Sequence, residues 1–171
     1  AVKKQIEDIF RKTANGLVSL KRPYRGILYL GGMVDKTGKV STIEFNARWG
    51  DPEAEVIIPS IKNDFYEIVI NTLNGQISKI KIQKDNKYRV AVAATAKGYP
   101  TNYKNVTGKQ IFGIDIQKES DVHIYGAAVK KQNGKYFAAG GRLLYIMAEG
   151  KNVIEARQKA YKALSKIKIS G

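Results

Sequence analysis

Glu44 and Asn46 stand two residues apart in the alternating run KVSTIEFN, residues 39–46. Side chains alternate between the two faces of an extended strand. A spacing of two therefore puts this carboxylate and carboxamide on one face and sends Phe45 to the other, where it is expected to anchor the strand in a core. Oxygen donors of these two kinds suit a hard divalent cation such as Mg²⁺ or Mn²⁺. Arg48 follows on the same side as long as the chain stays extended, and there it could neutralise phosphate charge next to the metal. A polar pair at this spacing is common on exposed strands, so its weight comes from its surroundings. Between Ser41 and Ser60 the only cation is Arg48, while Glu44, Asp51, Glu53 and Glu55 are carboxylates. On composition alone a solvated acidic loop is the stronger reading of this stretch.

This acidic island interrupts a strongly basic chain. Its 171 residues carry 30 Lys+Arg against 15 Asp+Glu, a formal charge of +15. Such an excess invites a nucleic-acid reading, because clustered cations release counterions from phosphate backbones. Lysines, however, outnumber arginines by about three to one, whereas base readers and bidentate phosphate grips favour arginine. A hydrophobic content of 43% with 26% charged residues is a globular balance. No apolar run approaches a membrane span, and no signal peptide opens the chain. The absence of cysteine excludes a disulfide scaffold, a thiolate metal site and a cysteine nucleophile. A single histidine, His123, excludes a multi-histidine metal site and argues against a histidine-dependent triad. Nothing in the sequence orients His123, which reads as a plain strand residue.

The elements that must position these residues form an α+β pattern rather than a regular βαβ alternation. Val2 to Lys12 reads as a helix with Ile6, Ile9, Phe10 and Thr13 on one face, ending near Gly16. Gly26 to Val34 and Lys39 to Asn46 read as two strands of a hairpin around the turn Asp35-Lys36-Thr37-Gly38. A loop from Ala47 to Pro52 follows, then a short helix over Glu53 to Ile58. A helix from Phe65 to Leu73 is capped by Asn63 or Asp64 and stops near Asn74-Gly75. Strands are predicted at Ile77 to Ile82, Tyr88 to Ala94, Ile111 to Ile116, Val122 to Val129, Lys135 to Ala139 and Arg142 to Met147. The last helix is capped by Asn152, with Glu155 at capping-box spacing, and its expected buried stripe is Ile154, Ala160, Tyr161 and Leu164. The boundary falls near Lys84 to Lys87, giving domains 1–84 and 85–171.

Glu44 and Asn46 lie inside a longer run, Ile43-Glu44-Phe45-Asn46-Ala47-Arg48-Trp49-Gly50-Asp51-Pro52-Glu53. This run closely resembles the E-F-N-A-R-F-G-D-P-E signature of the phosphoribosylamine–glycine ligase family of ATP-grasp enzymes, with Trp49 in place of the phenylalanine. Further segments match the same family in the same order. Tyr24-Arg25-Gly26-Ile27-Leu28-Tyr29 resembles Y-R/K-G-V-L-Y. Ala96-Lys97-Gly98-Tyr99-Pro100 resembles S-K-G-Y-P, and Gly140-Gly141-Arg142-Leu143-Leu144 resembles G-G-R-V-L. The stretch from Glu155-Ala156-Arg157 to Ala160-Tyr161 resembles the closing helix. Where the family reads F-H-A-G-T, this chain has Ile124-Tyr125-Gly126-Ala127-Ala128, with Tyr125 in the place of the histidine.

The resemblance implies the carboxy-terminal part of an ATP-grasp domain, a hairpin with helices, over 1–84. A small antiparallel-sheet domain closed by a helix would follow over 85–171. It implies an ATP-dependent ligase of purine biosynthesis. ATP would phosphorylate the carboxylate of glycine, and 5-phosphoribosylamine would attack the acyl phosphate, giving glycinamide ribonucleotide, ADP and phosphate. The family's ligands for Mg²⁺ or Mn²⁺ fall on Glu44 and Asn46, and Arg48 and Asp51 fall on catalytic positions. Substrate contacts fall on Gly50, Pro52, Glu53, Lys97, Gly98, Tyr99, Pro100, Gly140, Gly141 and Arg142. The strand before Glu44, GILYLGGMV, carries no carboxylate, which leaves few protein ligands for a second ion. No Gly-rich phosphate loop lies upstream, and the family's amino-terminal domain has no counterpart. The chain is thus expected to be the carboxy-terminal portion of a cytoplasmic enzyme, as a fragment or one partner of a split one, without turnover alone and with the amino-terminal half as its partner.

Two other classes compete with this one: a basic nucleic-acid-binding module, and a subunit derived from the ligase that has lost its chemistry. Charge predicts neither the acidic island nor the ordered motifs, so nucleic acid is the weaker reading.

Overall fold

The computed structural model describes residues 1–115 and 119–169. Its contacts divide the chain into two units, residues 1–50 with 62–83 and residues 51–61 with 84–171, and each is described by itself.

The first unit is built on a helix and a hairpin. Helix α1 spans Val2–Ser19, and its half-buried positions Val2, Ile6, Ile9, Thr13 and Leu17 recur at helical spacing. The helix runs through Gly16, past the end expected there, because a glycine inside a helix lowers its stability without breaking it. Strands β1, Tyr29–Val34, and β2, Val40–Asn46, pair antiparallel with a register shift between Gly31 and Gly32. The turn between them is fastened by Asp35, whose Oδ1 accepts hydrogen bonds from the Thr37 amide at 2.8 Å and the Lys39 amide at 3.0 Å. Gly38 closes the turn with a φ of +82°. The Gln5 side chain of α1 donates to Gly38 O and accepts from the Val40 amide, at 2.7 and 3.1 Å, holding the helix on the hairpin.

Helix α2, Ala54–Ile57, belongs to the second unit. It runs into a 3-10 turn, Ile58–Ser60. Helix α3, Phe65–Leu73, lies in the first unit and starts where Asp64 accepts a hydrogen bond from the Tyr66 amide at 2.8 Å. Residues 77–82, expected as a strand, instead form a 3-10 turn, Ile77–Lys79, followed by irregular chain. Apolar alternation there has no neighbouring strand to pair with. Gly50 is the only buried residue of the first unit, and Phe45, expected in a core, is 41% exposed. A two-stranded hairpin has no second layer to cover both faces.

The second unit holds the hydrophobic core. Strands β3, Tyr88–Thr95, β4, Gln110–Phe112, β5, Val122–Gly126, β6, Val129–Gln132, β7, Lys135–Ala138, and β8, Arg142–Gly150, are followed by helix α4, Val153–Leu164, and a short β9, Lys168–Ile169. They form two antiparallel sheets ordered β3-β8-β5 and β6-β7-β4-β9. The strand expected over Val122 to Val129 is therefore two strands, divided at residues 127–128. The strand expected over 111–116 ends at Phe112; residue 116 lies outside the described residues.

Helix α4 begins at the predicted Asn152 cap, with the return bond of Glu155 taken from the amide one residue before the cap. Asn152 Oδ1 accepts from the Glu155 amide at 2.9 Å, and Glu155 Oε2 accepts from the Lys151 amide at 2.9 Å. Its buried side chains are Ala156, Ala160 and Ala163, whereas Ile154 is 68% and Tyr161 50% exposed. Ala160 and Leu164 of the expected stripe meet the core, whereas Ile154 and Tyr161 give way to Ala156 and Ala163, an alanine face that lets the helix lie close to the sheet. Leu144, Ile146 and Ala148 of β8 and Val122 of β5 share a core with Ala160 and Ala163, and Val92 and Ala94 of β3 and Ile124 of β5 pack against it.

The other face of β3-β8-β5 is different in kind. The register pairs Arg89 with Glu149, Ala93 with Tyr145, Tyr125 with Tyr145 and His123 with Met147, so this face carries Arg89, Glu149, Tyr145, Tyr125 and His123. Arg89 is bidentate to Asp85 at 2.8 and 2.6 Å and also donates to Glu149 Oε1 at 2.9 and 2.6 Å. The Asp85 amide donates to Ser60 O at 3.0 Å, so the network also holds the segment bearing α2.

The hydrogen bonds from Arg89 lower Asp85 from its ordinary value to about 2. Its ionised form stabilises the fold above the unfolded carboxylate range, and that contribution is lost as pH falls toward 2. Asp121 is lowered the same way, by Lys159. Equilibrium urea titrations are therefore expected to show stability dropping between roughly pH 4 and pH 2, by on the order of 1–2 kcal/mol from Asp85.

Candidate functional site

Two groups of candidate residues lie on the two units. On β2 the structure places Glu44 and Asn46 on one face, with Asn46 Nδ2 donating to Glu44 Oε1 at 2.9 Å. Glu44 lies opposite Gly31 and Asn46 opposite Tyr29 in the hairpin register. A Cβ on Gly31 would come 3.0 Å from Glu44 Cγ, so the glycine leaves the room in which Glu44 lies. One carboxylate and one carboxamide oxygen suit a hard cation that takes its remaining ligands from water and phosphate. This fits the absence, among the described residues, of any group of three or more His, Cys, Asp or Glu able to hold a metal.

Arg48 departs from its expected position. β1 begins at Tyr29, the partner of Asn46, so β2 has no neighbour beyond Asn46 and its extended geometry stops there. Arg48 is exposed and donates to Trp49 O at 2.8 Å.

The second group gathers at Asp51. Tyr145 donates its hydroxyl to Asp51 Oδ1, and Arg142 Nη1 pairs with Asp51 Oδ2 at 3.1 Å. Burial and the hydrogen bond to Asp51 push the Tyr145 phenol up to about 12, so it stays a donor at neutral pH. Arg142 is held in its charged form by Tyr145, Asp51 and Tyr99. Pro52 and Glu53 lead into α2, where Glu53 O accepts from the Val56 and Ile57 amides at 3.2 and 2.9 Å.

The loop from Lys97 to Pro100 folds back on itself, with the Asn102 amide donating to Gly98 O at 2.7 Å. It is tied to the Gly140-Gly141 turn by Ala96 N–H to Gly141 O at 2.8 Å. A Cβ on Gly141 would lie 2.3 Å from the Tyr99 ring, and one on Gly140 would lie 2.8 Å from Ala128 Cβ. Both glycines are there because neighbouring side chains occupy the space. Tyr99, Gly141, Arg142 and Asp51 are thereby brought together, while Lys97 and Pro100 are exposed positions of the same loop. Gly141→Ala is expected to lower stability by about 1–3 kcal/mol, read as a fall in thermal midpoint by circular dichroism.

Sequence reasoning missed Tyr145. It read only as one apolar residue of a strand, and its pairing with Asp51 spans 94 positions. Its one local signal is the alternation that puts it on the same face as Glu149.

Two family descriptions match the chain. Phosphoribosylglycinamide synthetase, ATP-grasp (A) domain, covers residues 1–54, and phosphoribosylglycinamide synthetase, C domain, covers residues 89–171. The chain belongs to the phosphoribosylglycinamide synthetase family. A phosphoribosylamine–glycine ligase of Caldanaerobacter subterraneus is 40% identical over 173 residues, spanning 99% of this chain and 40% of that protein. The human trifunctional purine biosynthetic protein adenosine-3 is 35% identical over 166 residues, 96% of this chain and 16% of that protein.

Among solved structures, the phosphoribosylamine–glycine ligase of Thermotoga maritima superposes with a TM-score of 0.81 at 34% identity, covering 98% of this chain and 40% of that one. N5-carboxyaminoimidazole ribonucleotide synthetase from Thermotoga maritima, at 17% identity and a TM-score of 0.56, shares the fold. The expected α+β architecture, part of the synthetase ATP-grasp domain followed by its antiparallel C domain with a closing helix, is therefore the observed one. The chain spans about 40% of the length of the single-function ligase relatives it matches. No helix among the described residues is long and apolar enough to cross a membrane.

Proposed function

We propose that this chain is the portion of an ATP-dependent ligase that carries its cation ligands and part of its substrate contacts. The reaction joins glycine to 5-phosphoribosylamine in the cytoplasm, in purine biosynthesis. The observation that carries this reading is the Glu44–Asn46 pair, set on one face of β2 opposite Gly31 within the stretch that matches the ATP-grasp domain.

Glu44 and Asn46 hold Mg²⁺ or Mn²⁺, which when bound offsets the negative charge of the ATP phosphates. Arg48 steadies the phosphoryl group in transfer or the glycine carboxylate. A glycine carboxylate oxygen takes the γ-phosphoryl group and ADP leaves. The amine nitrogen of phosphoribosylamine then attacks the acyl carbon, phosphate leaves and the nitrogen gives up a proton. Asp51, kept oriented by Tyr145 and Arg142, serves the glycine and phosphoribosylamine end with Gly50, Pro52 and Glu53. Lys97–Pro100 and Gly140–Arg142 add substrate contacts. Residues 1–84 act as the carboxy-terminal part of the ATP-grasp domain and 85–171 as the C domain.

The exposed apolar side chains of the first unit, among them Val18, Leu20, Met33 and Ile43, each above 60%, support a partner that covers them. That partner is the amino-terminal portion of the ligase. Turnover requires both. The test is to combine this chain with the amino-terminal portion of the Caldanaerobacter relative and follow ADP release. Release that depends on glycine and amine together is expected from the mixture and from neither part alone. Association without turnover would make the chain a non-catalytic subunit. Duplex DNA binding with a steep salt dependence, without turnover, would favour the nucleic-acid reading.

A further inference from the structure

Tyr145 sits in the middle of β8, with Ala93 of β3 and Tyr125 of β5 as its cross-strand partners. It is 4% exposed. A phenylalanine would fill the same space without a polar atom, whereas a buried hydroxyl is costly unless it finds a partner. The partner it finds is Asp51 Oδ1, in the loop ahead of α2. Asp51 itself can be reached from outside. Its side chain is 38% exposed, and that of Arg142, paired with Oδ2, is 42% exposed. Two charged groups within reach of a ligand therefore rest on an anchor that is not.

Arg142 and Tyr145 are three positions apart on one strand. In regular strand geometry that spacing sends side chains to opposite faces, yet both meet one carboxylate. The register accounts for it. β3 pairs Ala94 with Leu144 but Thr95 with Arg142, so Leu143 has no partner of its own on β3. The extra residue brings Arg142 back to the side of Tyr145. A bulge re-aims a side chain in this way, and bulges are frequent beside active sites.

The two grips on Asp51 differ in kind. The ion pair with Arg142 is partly open to water, which screens it. The hydrogen bond from Tyr145 comes from the sheltered side, where water competes poorly, and the phenol keeps its proton at neutral pH. Held by a separate donor on each oxygen, the carboxylate cannot turn about its Cβ–Cγ bond. Held by Arg142 alone, it swings together with the guanidinium. Each oxygen keeps further lone-pair capacity, and the guanidinium keeps N–H donors to spare.

We propose that Tyr145 is a positioning residue: with the bulge at Leu143, it holds the Asp51 carboxylate and the Arg142 guanidinium in one fixed arrangement for the substrates they contact. This rests on the ligase reading for the identity of those substrates, glycine and the ribosylamine, though not for the arrangement itself.

The first experiment uses the full chain, isotopically labelled, and follows the guanidinium N–H signals of Arg142 by NMR. Tyr145→Phe removes the hydroxyl and keeps the ring. It is expected to free the rotation of the guanidinium, as Asp51→Asn does, with the amide signals of β3, β5 and β8 in place. A guanidinium equally restrained in Y145F and the parent would overturn the proposal.

The second experiment uses the reassembled ligase. Y145F is expected to lower kcat/KM for glycine or for the ribosylamine roughly 10- to 100-fold, by raising the KM of that substrate, while KM for ATP keeps its parent value. A rise for glycine places the pair on the amino acid, and a rise for the ribosylamine places it on the sugar amine. Loss of folded protein lowers kcat and moves no KM, so three unchanged KM values would overturn the proposal. Added to Asp51→Asn, Y145F is expected to cost nothing more, because the hydroxyl acts through Asp51; losses that multiply would overturn it. A guanidinium released in Y145F, in a chain whose parent gives no turnover with its partner, would uphold the arrangement while removing the ligase reading. Turnover by the parent with every KM unmoved in Y145F would do the reverse.

Discussion

Replacing Glu44 by alanine is expected to lower turnover of the reassembled ligase by at least about 100-fold, while the thermal midpoint of the chain stays where it was. The two halves of this expectation have separate causes. Glu44 is exposed and its side chain accepts one hydrogen bond, from Asn46, so the fold loses almost nothing when it is shortened. Its proposed chemistry, by contrast, has no substitute. The hairpin offers one carboxylate and one carboxamide to a cation, and β1 sets Gly31 and Tyr29 opposite them instead of a further acid. Loss of Glu44 leaves a single neutral oxygen, so the defect should be largest at limiting Mg²⁺ and partly relieved as Mg²⁺ is raised. Equal rates for Glu44→Ala and the parent at limiting Mg²⁺ would remove the metal role. Asn46→Asp keeps an oxygen donor at the same place and should retain more activity than Asn46→Ala.

Features that depend on neighbours in sequence were legible. The shared face of Glu44 and Asn46 follows from the period of a strand, the hairpin turn from Asp35 and Gly38, and the start of α4 from Asn152 and Glu155. What could not be read depends on partners far along the chain. Residues 77–82 alternate like a strand, but a strand needs a ladder, and only the fold decides whether one is available. Arg48 could be placed on the face of Glu44 only if β2 continued, and β2 ends because β1 starts at Tyr29. The buried face of α4 is legible at Ala160 and Leu164 but not at Ala156 and Ala163, because hydrophobicity favours Ile154 and Tyr161 whereas close approach to a sheet favours alanine. Tyr145 was the hardest, since it acquires its role only when β8 meets the Asp51 loop.

The largest loss of stability is expected from Arg89→Ala, at about 3–5 kcal/mol, a fall of roughly 10 °C in thermal midpoint for a chain of this size. The Arg89 side chain is 4% exposed, and it lies between the carboxylates of Asp85 and Glu149, themselves 18% and 11% exposed. Truncation removes the cation and leaves two sheltered negative charges facing each other. Lys87, 59% exposed and 2.5 Å from Glu149 Oε2, compensates only in part, since its charge is screened by water. The damage should reach beyond β3, because Asp85 also holds Ser60 through its amide.

A second reading of the same variant separates electrostatics from packing. Asp85 is lowered first of all by its hydrogen bonds to Arg89, and that lowering is what makes the parent lose stability between roughly pH 4 and pH 2. Without Arg89, the Asp85 carboxyl returns toward its ordinary value in the folded state. The acid-dependent part of the difference between parent and variant should then vanish below about pH 2, where Asp85 is protonated in both. Urea titrations of the two proteins across that range would decide the matter. Curves that stay parallel down to pH 2 would mean that Arg89 stabilises the sheet by filling space, with its ion pairs contributing little.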